Sequence, residues 1–227
     1  MHYRSGRTGR EIDMTKLKRE IKSWITINGT HIPIYMDETQ DEAVKRFTDR
    51  RNDTSTIRHA VHITKEENVN SILNNGFDKT KSGTGIGDAW GSGVYFAEED
   101  LEQVFYQGRI ESSAGVEADI DTSNMFTYDF GSDPAPKASV KTGFKKMYDN
   151  IASTLPEDFQ KEYKSLTRMY KIDGKYQPEK QALIETIQNH YTGFIIKQNS
   201  EEGLDIITGG NQIVVYDTSV IKNKKRW

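Results

Sequence analysis

Cysteine is absent from the 227 residues, which removes disulfides, zinc ribbons, iron–sulfur clusters and thiol nucleophiles together. Without a disulfide framework, the two N-x-[ST] matches at Asn28 and Asn52 read as accidents. Apolar residues are also few, at 34% of the chain, with a mean hydropathy of −0.76. No run approaches the ~18 apolar residues of a membrane span. Met1 to Arg10 is basic and polar with no apolar core, so no secretory leader is expected. What is left is a polar chain of 25.9 kDa with a core of modest size. It has room for one domain, or one domain with an appendage.

Net charge of one sign is nearly absent too, at −3, but the charges are unevenly placed. Residues 1–25 hold seven Lys/Arg against three Asp/Glu, and Lys222 to Arg226 adds four basic residues. The stretch between has 20 basic and 31 acidic residues. The two basic arms read as solvated termini, or as contacts for an anionic partner.

No internal repeat or low-complexity tract is present. Met14, Leu17, Ile21 and Trp24 recur at helical spacing and predict a short amphipathic helix over 13–24. Asn28-Gly29, between β-rich runs, predicts a hairpin within 24–34. Residues 39–51 read as a polar helix capped by Thr39. The hydrophilic break at 52–56 separates a small helix–hairpin appendage, 1–55, from a main domain, 56–227.

In the main domain, Ile57 to Ile63 alternates as a strand, with Arg58, Ala60 and His62 on one face. Thr64-Lys-Glu-Glu67 reads as a capping box opening a helix that Gly76 ends. A glycine-rich loop (83–93) leads into a strand at 93–97. Then come a helix at 99–107, a strand at 115–122 and a Gly/Pro break at 131–136. Helices near 139–154, 156–171 and 178–190 form an insert spanning about 137–190, and strands at 193–198 and 211–217 close the chain. Strands and helices without regular βαβ alternation mean α+β.

The glycine-rich loop is not a phosphate cradle. A dinucleotide fingerprint follows a strand and opens a helix, whereas this loop does the reverse, and no Gly-Lys-[ST] is present. His59 and His62 do not form a metal pair, because three residues apart on a strand they face opposite ways. No metal site is expected.

Three motifs carry a resemblance. The first is His62-Ile63-Thr64-Lys-Glu-Glu-Asn68, continuing to Ile72-Leu73 and Gly76. The second is Gly91-Ser-Gly93-Val-Tyr95-Phe96-Ala-Glu, with a further tyrosine, Tyr106, eleven residues after Tyr95. The third is Asn211-Gln212-Ile-Val-Val-Tyr216-Asp. In this order and spacing they resemble the poly(ADP-ribose) polymerase-like ADP-ribosyltransferases over about residues 57–221.

The resemblance implies a split β-sheet fold and a site for NAD as substrate, with no metal. It implies that His62 bonds the adenosine ribose and that Tyr95 and Tyr106 sandwich the nicotinamide. Ile63, Thr64, Asn68, Gly76 and Phe96 would belong to the binding frame. Gly91 and Gly93 would let backbone approach a flat ligand. Gln212 stands where the family has a catalytic glutamate, and Ile63 where it usually has glycine. A glutamine holds a ribose hydroxyl but brings no charge and is no base, so single-unit transfer is expected rather than chain growth. No Glu-x-Glu occurs, which disfavours arginine as acceptor. Residues 199–210 would face the acceptor, with Glu201, Glu202 and Asp205 as secondary catalytic candidates.

The segment Trp24 to Ile34 resembles a short hairpin of some phage head-morphogenesis proteins. That implies a phage or prophage origin, a site of action in the host cytoplasm, and a host protein (or a nucleic acid) as acceptor. The expected function is therefore NAD-dependent mono-ADP-ribosyl transfer to a macromolecule, with release of nicotinamide. The alternatives are a weak or inactive NAD/ADP-ribose-binding module and a phage-particle accessory protein.

Overall fold

A computed structural model describes residues 2–4, 11–13, 20–27, 30–78, 81, 90–98, 114–129, 140–197 and 211–227. Near the start, β1 (His2–Arg4) pairs antiparallel with β2 (Glu11–Asp13). The hairpin is formed by β3 (Ile21–Ile27) and β4 (Thr30–Tyr35), with Ile27 opposite Thr30. Its tip, Asn28-Gly29, lies outside the described residues.

The helix expected over 13–24 is therefore wrong from Ile21 onward, and residues 14–19 lie outside the described residues. The spacing of Ile21 and Trp24 suits a helix, but the run Ile25-Thr-Ile27 is β-branched and finds a ladder partner in β4. By contrast, α1 (Gln40–Arg51) starts where Thr39 predicts. The Thr39 hydroxyl accepts from the Glu42 N–H (3.3 Å), and the Thr39 N–H donates to Glu42 Oε2 (2.7 Å). The Thr39 N–H and hydroxyl, both donating to the Glu42 carboxylate, hold it below its ordinary pKa. Helix α1 packs on β4, where the Arg46 guanidinium meets Glu38 at 2.9 Å and lies over the Tyr35 ring.

The rest is built on seven strands. They are β5 (Ile57–Thr64), β6 (Val94–Ala97), β7 (Ala114–Asp121), β8 (Met125–Asp129), β9 (Gly193–Lys197), β10 (Asn211–Val215) and β11 (Ile221–Arg226). Their order is β11-β7-β5-β6-β10-β9-β8, and only β8–β9 is parallel. The expected α+β class holds.

The ladders are uneven. β5 and β7 share eight residue pairs, whereas β5 and β6 share one, Val61 opposite Ala97. The sheet thus consists of a three-strand half and a four-strand half joined at a single rung, on which Val61, Ala97, Gln212 and Ile196 lie side by side.

Three helices, α3 (Val140–Ser153), α4 (Glu157–Ile172) and α5 (Pro178–His190), cover one face of the four-strand half. Met147, Ile151, Leu183 and Ile187 pack there on Phe126, Phe194, Ile196 and Val214. The helical stretch anticipated over 137–190 supplies this face's core. The opposite face carries Phe96, Ile120, Ile213 and Val215, and α2 (Glu66–Asn75) packs Val69 on Ala114 and Val116 of β7.

Strands β8 and β11 are additional to the elements expected. β11 also makes the basic tail an exposed edge strand, its cations still solvated, rather than a free arm. It pairs with β7, where Lys225 meets Glu117 at 3.0 Å and Asn223 donates to Asp119 at 2.7 Å, while Arg226 meets Glu66 of α2. The tail's cations neutralise the acidic rim of its neighbour. Among the described residues, no helix is long and apolar enough to cross a membrane.

Candidate active site

The seam between β5 and β6 places the motif residues. Beyond the Val61–Ala97 rung no further pair forms, and His62 bridges the gap. Its Nδ1 lies 2.9 Å from the Tyr95 carbonyl oxygen. A carbonyl only accepts, so Nδ1 carries the proton, and in the neutral ring Nε2 is then an acceptor. Nε2 has no hydrogen-bond partner among the described residues. The ring is half-buried between Phe77, edge-on at 5.2 Å, and Phe96 at 5.8 Å. Burial lowers the imidazole pKa from its ordinary value, and the bond to Tyr95 only partly opposes this. The ring therefore stays neutral at pH 7.

Tyr95 and Gln212 project from the other face of the sheet, the one that the helices cover. The Tyr95 hydroxyl is committed to the preceding turn: it donates to Gly91 O (2.8 Å) and accepts from Trp90 N–H (2.9 Å). Tyr216 completes that turn by donating to Trp90 O at 2.7 Å. Gln212 is 6% exposed on its rung between Ala97 and Ile196. Strand alternation thus brings Tyr95 and Gln212 to one face and His62 to the other.

The glycines have a packing reason within the protein itself. A Cβ on Gly91, whose φ is +86°, would sit 2.5 Å from Ile184 Cγ2 of α5. One on Gly93 would sit 2.7 Å from Val214 Cγ1 and 3.0 Å from Val215 O. Both glycines are needed for packing against the protein itself, whatever ligand lies beside them. Gly76, at φ +83°, ends α2 as expected, its N–H donating to Ile72 O.

The capping box at Thr64 does not form. Lys65 is the N-cap and makes no side-chain cap bond, because Thr64 stays in β5, buried and paired with Ala114. The Thr64 hydroxyl instead accepts from Asn68 Nδ2 at 3.3 Å, which ties the strand end to the helix. The Ile63 side chain is buried. Tyr106, the helix at 99–107, most of the glycine-rich loop, the 131–136 break, and Glu201, Glu202 and Asp205 lie outside the described residues.

At the opposite end of the seam lies a network that the motifs do not indicate. Arg58, 5% exposed, meets Glu98 at 3.2 Å and Asp53 at 3.2 Å and donates to Asp53 O. Glu98 in turn accepts from Asn211 Nδ2 at 2.7 Å. This chain ties the 53–58 segment, the end of β6 and the start of β10, one residue from Gln212. Alternation had placed Arg58 on the face of Ala60 and His62, and an arginine there required a buried partner. Its partner is 40 residues away, which no local pattern reveals. Among the described residues, no group of three or more His, Asp or Glu side chains could hold a metal ion.

No protein-family model matches the chain, and no curated protein matches it.

Proposed function

We propose that the chain is an NAD-dependent mono-ADP-ribosyltransferase with an ADP-ribosyltransferase-like fold, acting at the seam beside His62. The observation that carries this reading is the single-rung split in the sheet with a neutral histidine fixed across it. A split sheet is what the three sequence motifs imply, and the tautomer leaves Nε2 to accept from a ribose hydroxyl.

On this reading NAD is substrate. Its nicotinamide–ribose bond breaks with the electron pair leaving on nicotinamide, through an oxocarbenium-like state similar to that of glycoside hydrolysis. His62 holds the adenosine ribose, and Gln212 holds a hydroxyl of the reacting ribose without charge. A nucleophile of the macromolecular acceptor then bonds the ribose carbon and gives up its proton. A host protein is the leading acceptor and a nucleic acid the second. With no carboxylate at 212, the product is a single ADP-ribose unit. The site of action is the cytoplasm of a host cell.

The test is intact-mass analysis of acceptors after incubation with NAD and lysate. Single additions of ADP-ribose support the reading, and long polymer ladders contradict its single-unit clause. A second reading, an NAD- or ADP-ribose-binding module, is favoured by the burial and neutrality of Gln212. It expects binding heat with no turnover.

A further inference from the structure

Five large apolar side chains stand exposed among the described residues, and they fall into two patches of opposite charge. Ile57 (54% exposed) lines an acidic groove along α1, and Met36 (59%) immediately precedes Asp37 of its wall. Two open hollows of about 440 and 370 Å³ share Asp49 as a wall and make that groove continuous. Six carboxylates line it against three cationic side chains.

The other patch is the end of the helical layer, where α4 turns into α5. Met169 (44%), Ile172 (80%) and Tyr176 (81%) project there. Lys171 pairs with Glu179 at 2.9 Å, while Lys164, Arg168 and Lys175 have no acidic partner among the described residues.

We infer that these two patches are the halves of one interface, and that the occupant of each is a second copy of this chain. The tip is convex, basic and apolar; the groove is concave, acidic and apolar. Exposed apolar patches rimmed by charge mark association surfaces. Lysine-rich phosphate binding alone would account for the tip's charge but not for Ile172 or for the matching groove. Because the patches differ, the contact is heterologous and joins copies head to tail. Its charged part is screened as the Debye length falls from about 10 Å at 0.1 M salt to about 3 Å at 1 M. The inference stands apart from any NAD chemistry.

Sedimentation equilibrium of the full chain at low and high salt tests it. Two variants are compared: a tip variant (Arg168→Glu with Lys175→Glu) and a groove variant (Asp49→Lys with Ile57→Lys). All four positions are solvent-exposed, and circular dichroism checks the fold of each variant. The expected result is wild type whose mass rises with concentration at low salt, with each variant alone monomeric. Mixed, the two variants form a 1:1 pair, since the intact groove of one meets the intact tip of the other. A wild type that stays monomeric at every concentration overturns the inference. So do variants that associate as well as wild type, a mixture that stays monomeric, or a monomer whose tip instead binds an oligonucleotide.

Discussion

The two ends of the β5–β6 seam are held by opposite means. At one end Arg58, Glu98, Asp53 and Asn211 form a buried, charged and densely bonded lock. At the other a neutral histidine makes one hydrogen bond among the described residues, to the Tyr95 carbonyl, and sits among aromatic rings. A charged lock of this kind fixes geometry and spends nearly all of its polar atoms internally, leaving only Arg58 Nε of the guanidinium buried without a partner among the described residues. A neutral ring with a committed donor and an unused acceptor gives up little stability and keeps one specific polar atom for recognition. The comparison assigns stability to the charged end and, on the proposed reading, NAD binding to the histidine end.

The largest expected effect is at the charged end. Arg58→Ala or Glu98→Ala strands a buried charge and is expected to cost about 3–5 kcal/mol in urea unfolding. The paired replacement Arg58→Met with Glu98→Leu should recover most of that. Singles costing under ~1 kcal/mol would break the contrast.

Next in size is Gln212. On the proposed reading, Gln212→Glu places negative charge beside the developing oxocarbenium and is expected to raise acceptor-free nicotinamide release by roughly a hundredfold, about 3 kcal/mol. Gln212→Ala should lower transfer with NAD affinity nearly unchanged, since its contact matters most in the transition state. Nicotinamide release and calorimetry read the two quantities separately.

Gly93→Ala, which forces a Cβ against Val214 and the Val215 carbonyl, should cost about 1–3 kcal/mol with no ligand present. Thermal unfolding of the free protein measures it, and an unchanged Tm would return Gly93 to a ligand-contact role.

The histidine end predicts a pH dependence of definite sign. The folded-state pKa of His62 is depressed below its ordinary 6.5, so below that value the unfolded chain binds more protons than the folded one. Its contribution to stability is full above about pH 6.5 and is lost as pH falls toward the folded value. His62→Gln should flatten that slope, measured as the difference between the two unfolding curves. Smallest of all, Lys225→Ala on the exposed tail strand should cost no more than ~1 kcal/mol.

Much of this was legible in the sequence because it is local. The Asn-Gly hairpin, the Thr39 cap, the Gly76 stop and the three helices of 140–190 depend on neighbours a few residues apart. What was not legible depends on distant partners. Lys222 to Arg226 has no apolar alternation and becomes a strand only because β7 offers Glu117 and Asp119. Thr64 lost its cap role to pairing with Ala114, fifty residues on. Met125–Asp129 is short, and it is a strand because β9 lies beside it in parallel. For the proposed site, the motif spacing names His62, Tyr95 and Gln212 but carries no sign of the burial of Gln212 or of the charged lock one residue away.

The central claim is that the His62 end of the seam binds NAD. Isothermal titration with NAD of wild type, His62→Phe and the Arg58→Met/Glu98→Leu pair tests it most directly. Phenylalanine keeps a ring between Phe77 and Phe96 while removing both nitrogens. The account predicts binding by wild type, a loss of roughly tenfold in His62→Phe for one hydrogen bond, and near-wild-type affinity in the Arg58/Glu98 pair. Absence of binding heat in wild type, or equal affinity in His62→Phe, would contradict it.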